Sequence, residues 1–191
     1  MKIEKSLIVS FLLLVVIASL YRIMPGRPFG FAPQIAMALF AGSVIKDKKY
    51  AFLLPILSML ISDVIYEVLF QFRISTIAGF YEGQLLNYAI FGAVTVIGFW
   101  IQKENILRIL AGAFAGATFY FVVSNLAVWI GGGLALNNLP YPKTTDGLIS
   151  CFTAALPFFK NSIYATLFFN AILFGGYFLF NRLSVQKHSV A

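Results

Sequence analysis

Two carboxylates four residues apart, Asp63 and Glu67, lie in "FLLPILSMLISDVIYEVLF" (52–70), a stretch otherwise apolar enough to cross a bilayer. Residues at i and i+4 share a helix face, so the pair points one way, one turn apart. Facing lipid, each would cost several kcal/mol, so that face must turn into protein. Two like charges this close repel in a poorly solvated site unless a cation or hydrogen-bond donors intervene. Three arrangements satisfy them: an ion pair with a basic residue such as Arg27 or Arg73, donors from Asn87 and Asn125, or a shared proton or cation. Used as acid and base, the same pair would suit a membrane enzyme. The spacing favours a division of roles in which neighbouring helices hold Asp63, and Glu67, one turn nearer the outer end, contributes to a ligand cavity.

The other polar residues of the apolar segments fall in the same half of the molecule. Ser124 and Asn125 lie late in the fifth segment, Gln84 and Asn87 open the fourth, and Asn161 and Ser162 open the sixth; only Asn170 is deeper. An outward-facing polar cavity produces this asymmetry, whereas a continuous channel does not. Interhelical hydrogen bonds, each worth on the order of 1 kcal/mol, are the competing explanation.

The chain has 191 residues, is 60% hydrophobic and only 11% charged, and carries a net charge of +7. Its mean hydropathy of +0.88 leaves more apolar surface than a water-soluble fold of this size can hide. One cysteine, Cys151, and one histidine, His188, exclude an internal disulfide and a His/Cys zinc site within one chain. The basic residues are scattered between apolar runs, which speaks for membrane topology and against nucleic-acid binding. No cofactor signature is present.

Six apolar segments stand out: Ser6–Tyr21, Phe31–Ile45, Ala51–Phe70, Gln84–Ile101, Ile106–Ile130 and Ser162–Phe180. They predict an all-α integral membrane protein, one domain over residues 1–191, with six transmembrane helices. Pro33 and Pro55 fit first-turn positions. Lys2, Lys5, Lys46, Lys48, Lys49, Lys103, Arg108, Arg182 and Lys187 fall on one side; Arg22, Arg27, Arg73, Lys143 and Lys160 fall on the other. The excess places both termini in the cytoplasm. The basic start, the apolar centre and Val16–Ala18 also fit a cleavable leader, which would leave five spans. Gly112 and Gly116 form a G-xxx-G that suits helix packing, either within the bundle or onto a partner.

The outer connections are the long ones and hold the candidate ligand contacts. "RIMPGRPFGF" offers Arg27, held between Pro and Gly residues; "FYEGQ" offers Tyr81 and Glu82. Between the fifth and sixth spans, "GGG" (131–133) and "NNLPYP" precede "TTDGLISCFTAAL", where Thr144, Thr145 and Asp146 are capping candidates. Leu148, Phe152, Ala155 and Leu156 share a face there, which predicts a short helix in a long outer loop, hinged on the glycines like a lid. The expected substrate-binding set is Arg27, Asp63, Glu67, Tyr81, Asn87, Asn125 and Asn161. No catalytic constellation or metal-ligand cluster accompanies it.

"FAPQIAMALFAGSVIKDKKYAFLLPILSMLISDVIYE", Phe31–Glu67, resembles the substrate-binding S-components of energy-coupling factor (ECF) vitamin transporters: Phe-x-Pro, a small-residue helix, a short turn, an apolar helix and a closing Ser-Asp. "YPKTTDGLISCFTAALPFFKNSIYATLFFNAILFGG" resembles the end of a family of bacterial transport proteins of unestablished function. The first resemblance implies a non-enzymatic membrane protein of the bacterial cytoplasmic membrane. It would take a vitamin or cofactor precursor from outside, partnered by a transmembrane coupling subunit with cytoplasmic ATPases. Many S-components carry two alanines four apart on their first helix; here that helix offers only Ala18. An accessory or assembly subunit without substrate is the alternative reading of the same sequence.

Overall fold

The computed structural model describes residues 5–189 of the chain. Lys2, counted in the charge balance, lies outside them, as does the start of the possible leader; nothing is described of the side chains of Lys5, Lys187 and His188. Among the described residues the fold is six helices without a named strand: α1 Lys5–Ile23, α2 Gln34–Val44, α3 Lys48–Gln71, α4 Gln84–Gly98, α5 Ile106–Ile130 and α6 Thr145–Ser189. Three of these are long and apolar enough to cross a membrane: α3, α5 and the Thr145–Phe180 part of α6.

The helix starts follow local chemistry. Asp47 accepts from the Lys49 N–H at 2.9 Å, and Asn105 accepts from the Arg108 N–H at 3.2 Å, so both α3 and α5 begin on a capping side chain. Asp47 moves the start of α3 ahead of the expected one, and Pro55 falls inside the helix and not in its first turn. Pro33 is the residue before α2. Thr144 accepts from the Gly147 N–H at 3.2 Å and opens α6.

Two expectations need correcting. The short helix foreseen between spans five and six is not separate, because α6 runs unbroken through Pro157 to Ser189. A single proline removes one i→i−4 bond, and nothing around Pro157 invites a stop: no glycine or turn sequence lies between Asn161 and Cys151. The hinged lid is therefore absent as drawn. Residues 131–143 form a pinned loop in its place: Trp129 Nε1 donates to the Pro142 carbonyl at 2.8 Å, Lys143 Nζ to that of Ile130 at 2.8 Å, and Leu134 bridges Pro140.

The second correction is the length of span two. With eleven residues, α2 is about 16 Å long, roughly half the hydrocarbon thickness. It is nevertheless the centre of the molecule, in contact with α3, α4, α5 and α6. Ile35, Ala36, Met37, Ala38, Leu39 and Ala41 are all buried. Around it one cluster joins Leu39, Met59, Val94, Ile109 and Phe174, and a second joins Val15, Met37, Ala41 and Leu54. Outward-facing surfaces remain apolar, as at Leu13, Ile17, Ile106, Leu107 and Phe168, which is what lipid requires.

Small residues allow the tight crossings. Gly42 of α2 and Gly98 of α4 bring the two backbones together, and Gly112 and Gly116 of α5 are covered by Ile101, Leu39 and Ile35. The G-xxx-G is thus used inside the chain. A Cβ at Gly42 would press on the Thr95 carbonyl and lie 2.9 Å from the Gly98 backbone. Gly42→Ala is expected to cost about 1–3 kcal/mol, read as a lower thermal midpoint in detergent; a midpoint equal to that of the parent protein would contradict this crossing.

Candidate functional site

The C-terminal ends of α1, α3 and α5 and the N-terminal ends of α2, α4 and α6 share one end of the bundle, opposite the turns that carry Lys46, Lys48, Lys49 and Lys103. There Asp63, only 1% exposed, is the hub of a polar cluster. Its Oδ1 is ion-paired with Arg22 Nη1, and its Oδ2 accepts from Gln84 Nε2 at 2.6 Å and from the Tyr88 hydroxyl at 2.7 Å. Arg22 also donates to Ser62 Oγ and lies 5.8 Å from the Tyr66 ring centre. One carboxylate so ties α1, α3 and α4 together. Its cation is Arg22, not Arg27 or Arg73, and its donors are Gln84 and Tyr88, not Asn87 or Asn125.

Glu67 does different work. Its Oε1 accepts from Gln71 Nε2 at 2.7 Å, and its Oε2 from the Gly79 and Phe80 N–H groups at 3.1 and 3.3 Å. It thereby clamps the α3–α4 loop onto α3. Gly79 sits so close to the Asp63 carbonyl and the Glu67 backbone that no Cβ fits, and its own carbonyl accepts from Gln84 at 3.1 Å. No hydrogen bond links Asp63 with Glu67, and Glu67 lines neither cavity described below.

Two adjoining cavities open beside this cluster. The outer has a volume of about 860 Å³ and lies among α4, α5, α6 and the Gly131–Leu134 segment. The inner, about 150 Å³, lies over the start of α2, with Arg22, Arg27, Gln34, Met59 and Phe91 in its wall. Tyr81, Asn87, Tyr120 and Ser162 line both. Asn87 stands between two phenols: its Nδ2 donates to the Tyr81 oxygen at 2.6 Å, and its Oδ1 accepts from Tyr120 at 3.3 Å. Burial pushes the Tyr81 phenol above its ordinary pKa near 10, more than the Asn87 hydrogen bond and the Arg22 charge pull it down. Tyr81 therefore stays neutral and keeps its proton at physiological pH.

The expected residues divide accordingly. Arg27, Tyr81 and Asn87 line the inner cavity, and Asn125 lines the outer. Arg27 is anchored by main-chain carbonyls, Nε to Arg22 at 3.1 Å and Nη1 to Phe31 at 2.7 Å. No carboxylate pairs with it among the described residues. Asn125 donates back to Phe121 of its own helix at 2.7 Å. Asn161 lines neither cavity; it donates to the Phe29 carbonyl at 2.9 Å and fastens the α1–α2 loop to α6. Cys151 is buried, with its thiol 3.6 Å from the Asn125 carbonyl. Sequence reasoning missed Gln34 and Tyr120 as cavity residues. The short length of span two was the signal for Gln34, because a helix that stops halfway puts its first residue deep in the bundle.

A family model described as "Family of unknown function (DUF6580)" matches residues 2–188, and the chain belongs to that family. No curated protein and no solved structure matches it.

Proposed function

We propose that this member of the family is a six-span protein of the bacterial cytoplasmic membrane that captures a small molecule from the outer side and passes it inward. The observation that carries the reading is the pair of adjoining cavities at one end of the bundle, away from the basic turns, with a cation, Arg27, at the inner one that no carboxylate among the described residues neutralises. The outer cavity's size suits a ligand of vitamin or cofactor-precursor dimensions, since ordinary small-molecule sites occupy about 300–1,000 Å³. Arg27 would attract an anionic group such as a carboxylate or phosphate. Both termini lie on the cytoplasmic side in this reading, by the excess of Lys and Arg there.

The S-component resemblance adds a coupling subunit with ATPases as partner. Ala18 is buried in the chain's own core, so such a subunit would dock on other surfaces of α1, where Leu12, Leu13, Ile17 and Leu20 are exposed. Of the small-residue faces behind the accessory-subunit alternative, the Gly112/Gly116 face is packed internally, while Ala111 and Ala115 are exposed. The enzyme alternative needs two carboxylates acting together, and the two are engaged separately.

Native mass spectrometry of the gently purified protein tests the proposal. A retained small molecule is expected on the parent protein. Arg27→Gln is expected to weaken its binding at least tenfold, while Arg73→Gln, at a residue that lines neither cavity, leaves it unchanged. Absence of any retained molecule, together with no stabilisation by a library of anionic vitamin precursors, would sink the transport reading.

A further inference from the structure

Gln34 is the first residue of α2 and is 2% exposed, yet neither its Nε2 nor its Oε1 has a hydrogen-bond partner. Buried amides are nearly always satisfied, because leaving the group unpaired costs its full desolvation. This one is in the wall of the inner cavity, and the residues around it do not answer it. Arg22 is committed to Asp63 and Ser62, Arg27 to main-chain carbonyls, and Asn87 to Tyr81 and Tyr120. The carboxamide presents one donor edge and one acceptor edge in a plane.

We propose that the inner cavity recognises a planar amide-type edge, one N–H beside one C=O, as in a lactam, a cyclic ureide or a primary carboxamide. Both amide atoms are covered in the structure; on rotation of the side chain into the cavity, Gln34 Oε1 accepts from the ligand N–H and Gln34 Nε2 donates to its carbonyl. The proposal rests on the reading of these cavities as a ligand site and specifies the ligand's head. At about 150 Å³ the inner cavity is smaller than a drug-sized site, so it takes a single ring or head group, and the remainder of the molecule extends past Asn87 into the outer cavity. Flat walls are available: the Phe91 and Tyr120 rings lie 5.1 Å apart and tilted by 32°, which suits a planar group. A ligand lacking the paired edge would leave Gln34 unpaired, and rejection by an unpaired polar group is strong.

The test uses the full chain in lipid nanodiscs with 2-pyridone, 2-imidazolidinone and uracil as probes, each compared with its fully N-methylated counterpart by ligand-observed magnetisation-transfer NMR. The parent compounds are expected to bind and the N-methylated ones to bind at least tenfold more weakly. Gln34→Leu is expected to abolish the distinction and to raise the thermal midpoint of the empty protein, since it removes an unpaired amide. Equal binding of parent and methylated probes, or no binding of any parent compound at millimolar concentration, overturns the proposal; the probe comparison needs no variant, so it stands even if Gln34→Leu does not fold. Loss of the natively retained molecule in Arg27→Gln but not in Gln34→Leu overturns the amide head and leaves the ligand site standing. Retention of no molecule by the parent protein, together with no stabilisation by the anionic library and no binding of any probe, overturns both.

Discussion

Asp63→Ala is expected to collapse folded yield and lower the thermal midpoint more than any other single truncation in the polar cluster. Asp63 is 1% exposed and answers Arg22, Gln84 and Tyr88 at once. Removing it leaves a guanidinium partly buried with no counter-charge, a situation that typically costs about 3–5 kcal/mol. Gln84 and the Tyr88 hydroxyl also lose their acceptor, at about 1 kcal/mol or more each. Asp63→Asn keeps the shape but gives the position an amide in place of a charge, so it should be milder than alanine and still clearly destabilising. The decisive variant is the double one. Arg22→Met with Asp63→Leu removes both charges, and apolar replacement of a buried pair is often neutral. It should recover most of the lost stability, measured as thermal midpoint and monodisperse yield in detergent. If the double variant is as damaged as the sum of its singles, the two residues do not act as a pair.

Gly79→Ala should produce the second large effect, and through geometry alone. The added carbon would run into the Asp63 carbonyl and lie 2.8 Å from Glu67 Cβ, most of it against backbone that cannot swing away. The α3–α4 loop must lift, and with it go the two N–H bonds to Glu67 and the Gln84 bond to the Gly79 carbonyl. The expected cost is about 2–4 kcal/mol, the sum of an overpacking penalty and the lost hydrogen bonds. Tyr81, two residues on and a wall of both cavities, would be displaced, so ligand affinity should fall at least tenfold in whatever protein folds. Glu67→Gln keeps one acceptor for the loop and should be the gentler change, with a smaller loss of both stability and affinity. A Gly79→Ala protein that melts and binds like its parent would show that the loop does not dock on α3.

The parts of this fold that local chemistry determines were readable in the sequence. The fifth span was placed at Ile106–Ile130, and α5 has those bounds, because Asn105 caps one end and glycines follow the other. The inward turn of the "SDVIYE" face at Asp63 followed from the expense of a carboxylate in lipid. The polar residues crowded at one end foretold a cavity at that end. What the sequence hid were relations between distant positions. Arg22 and Asp63 are 41 residues apart, and no pattern in either segment selects Arg22 over Arg27 or Arg73. Pro55, expected in a first turn, lies inside α3, and α6 likewise continues through Pro157. Gln34 was passed over, since nothing in "FAPQ" itself marks its side chain as buried; only the shortness of the helix behind it carried that information.

That half-depth helix bears on how the protein is made. Eleven residues are too few to be held in a bilayer as an independent span, and both ends of α2 carry backbone groups that lipid cannot satisfy. It cannot insert first and wait for its neighbours. The turn Ile45–Asp47 joins it to α3, which is long and apolar enough to cross a membrane, so the two are expected to enter as a hairpin, with α3 as the anchor. Only when α4, α5 and α6 arrive does α2 gain its surroundings. Burial of the central helix is then expected to be the last step of assembly, and a chain truncated after α4 should leave α2 exposed to membrane quality control.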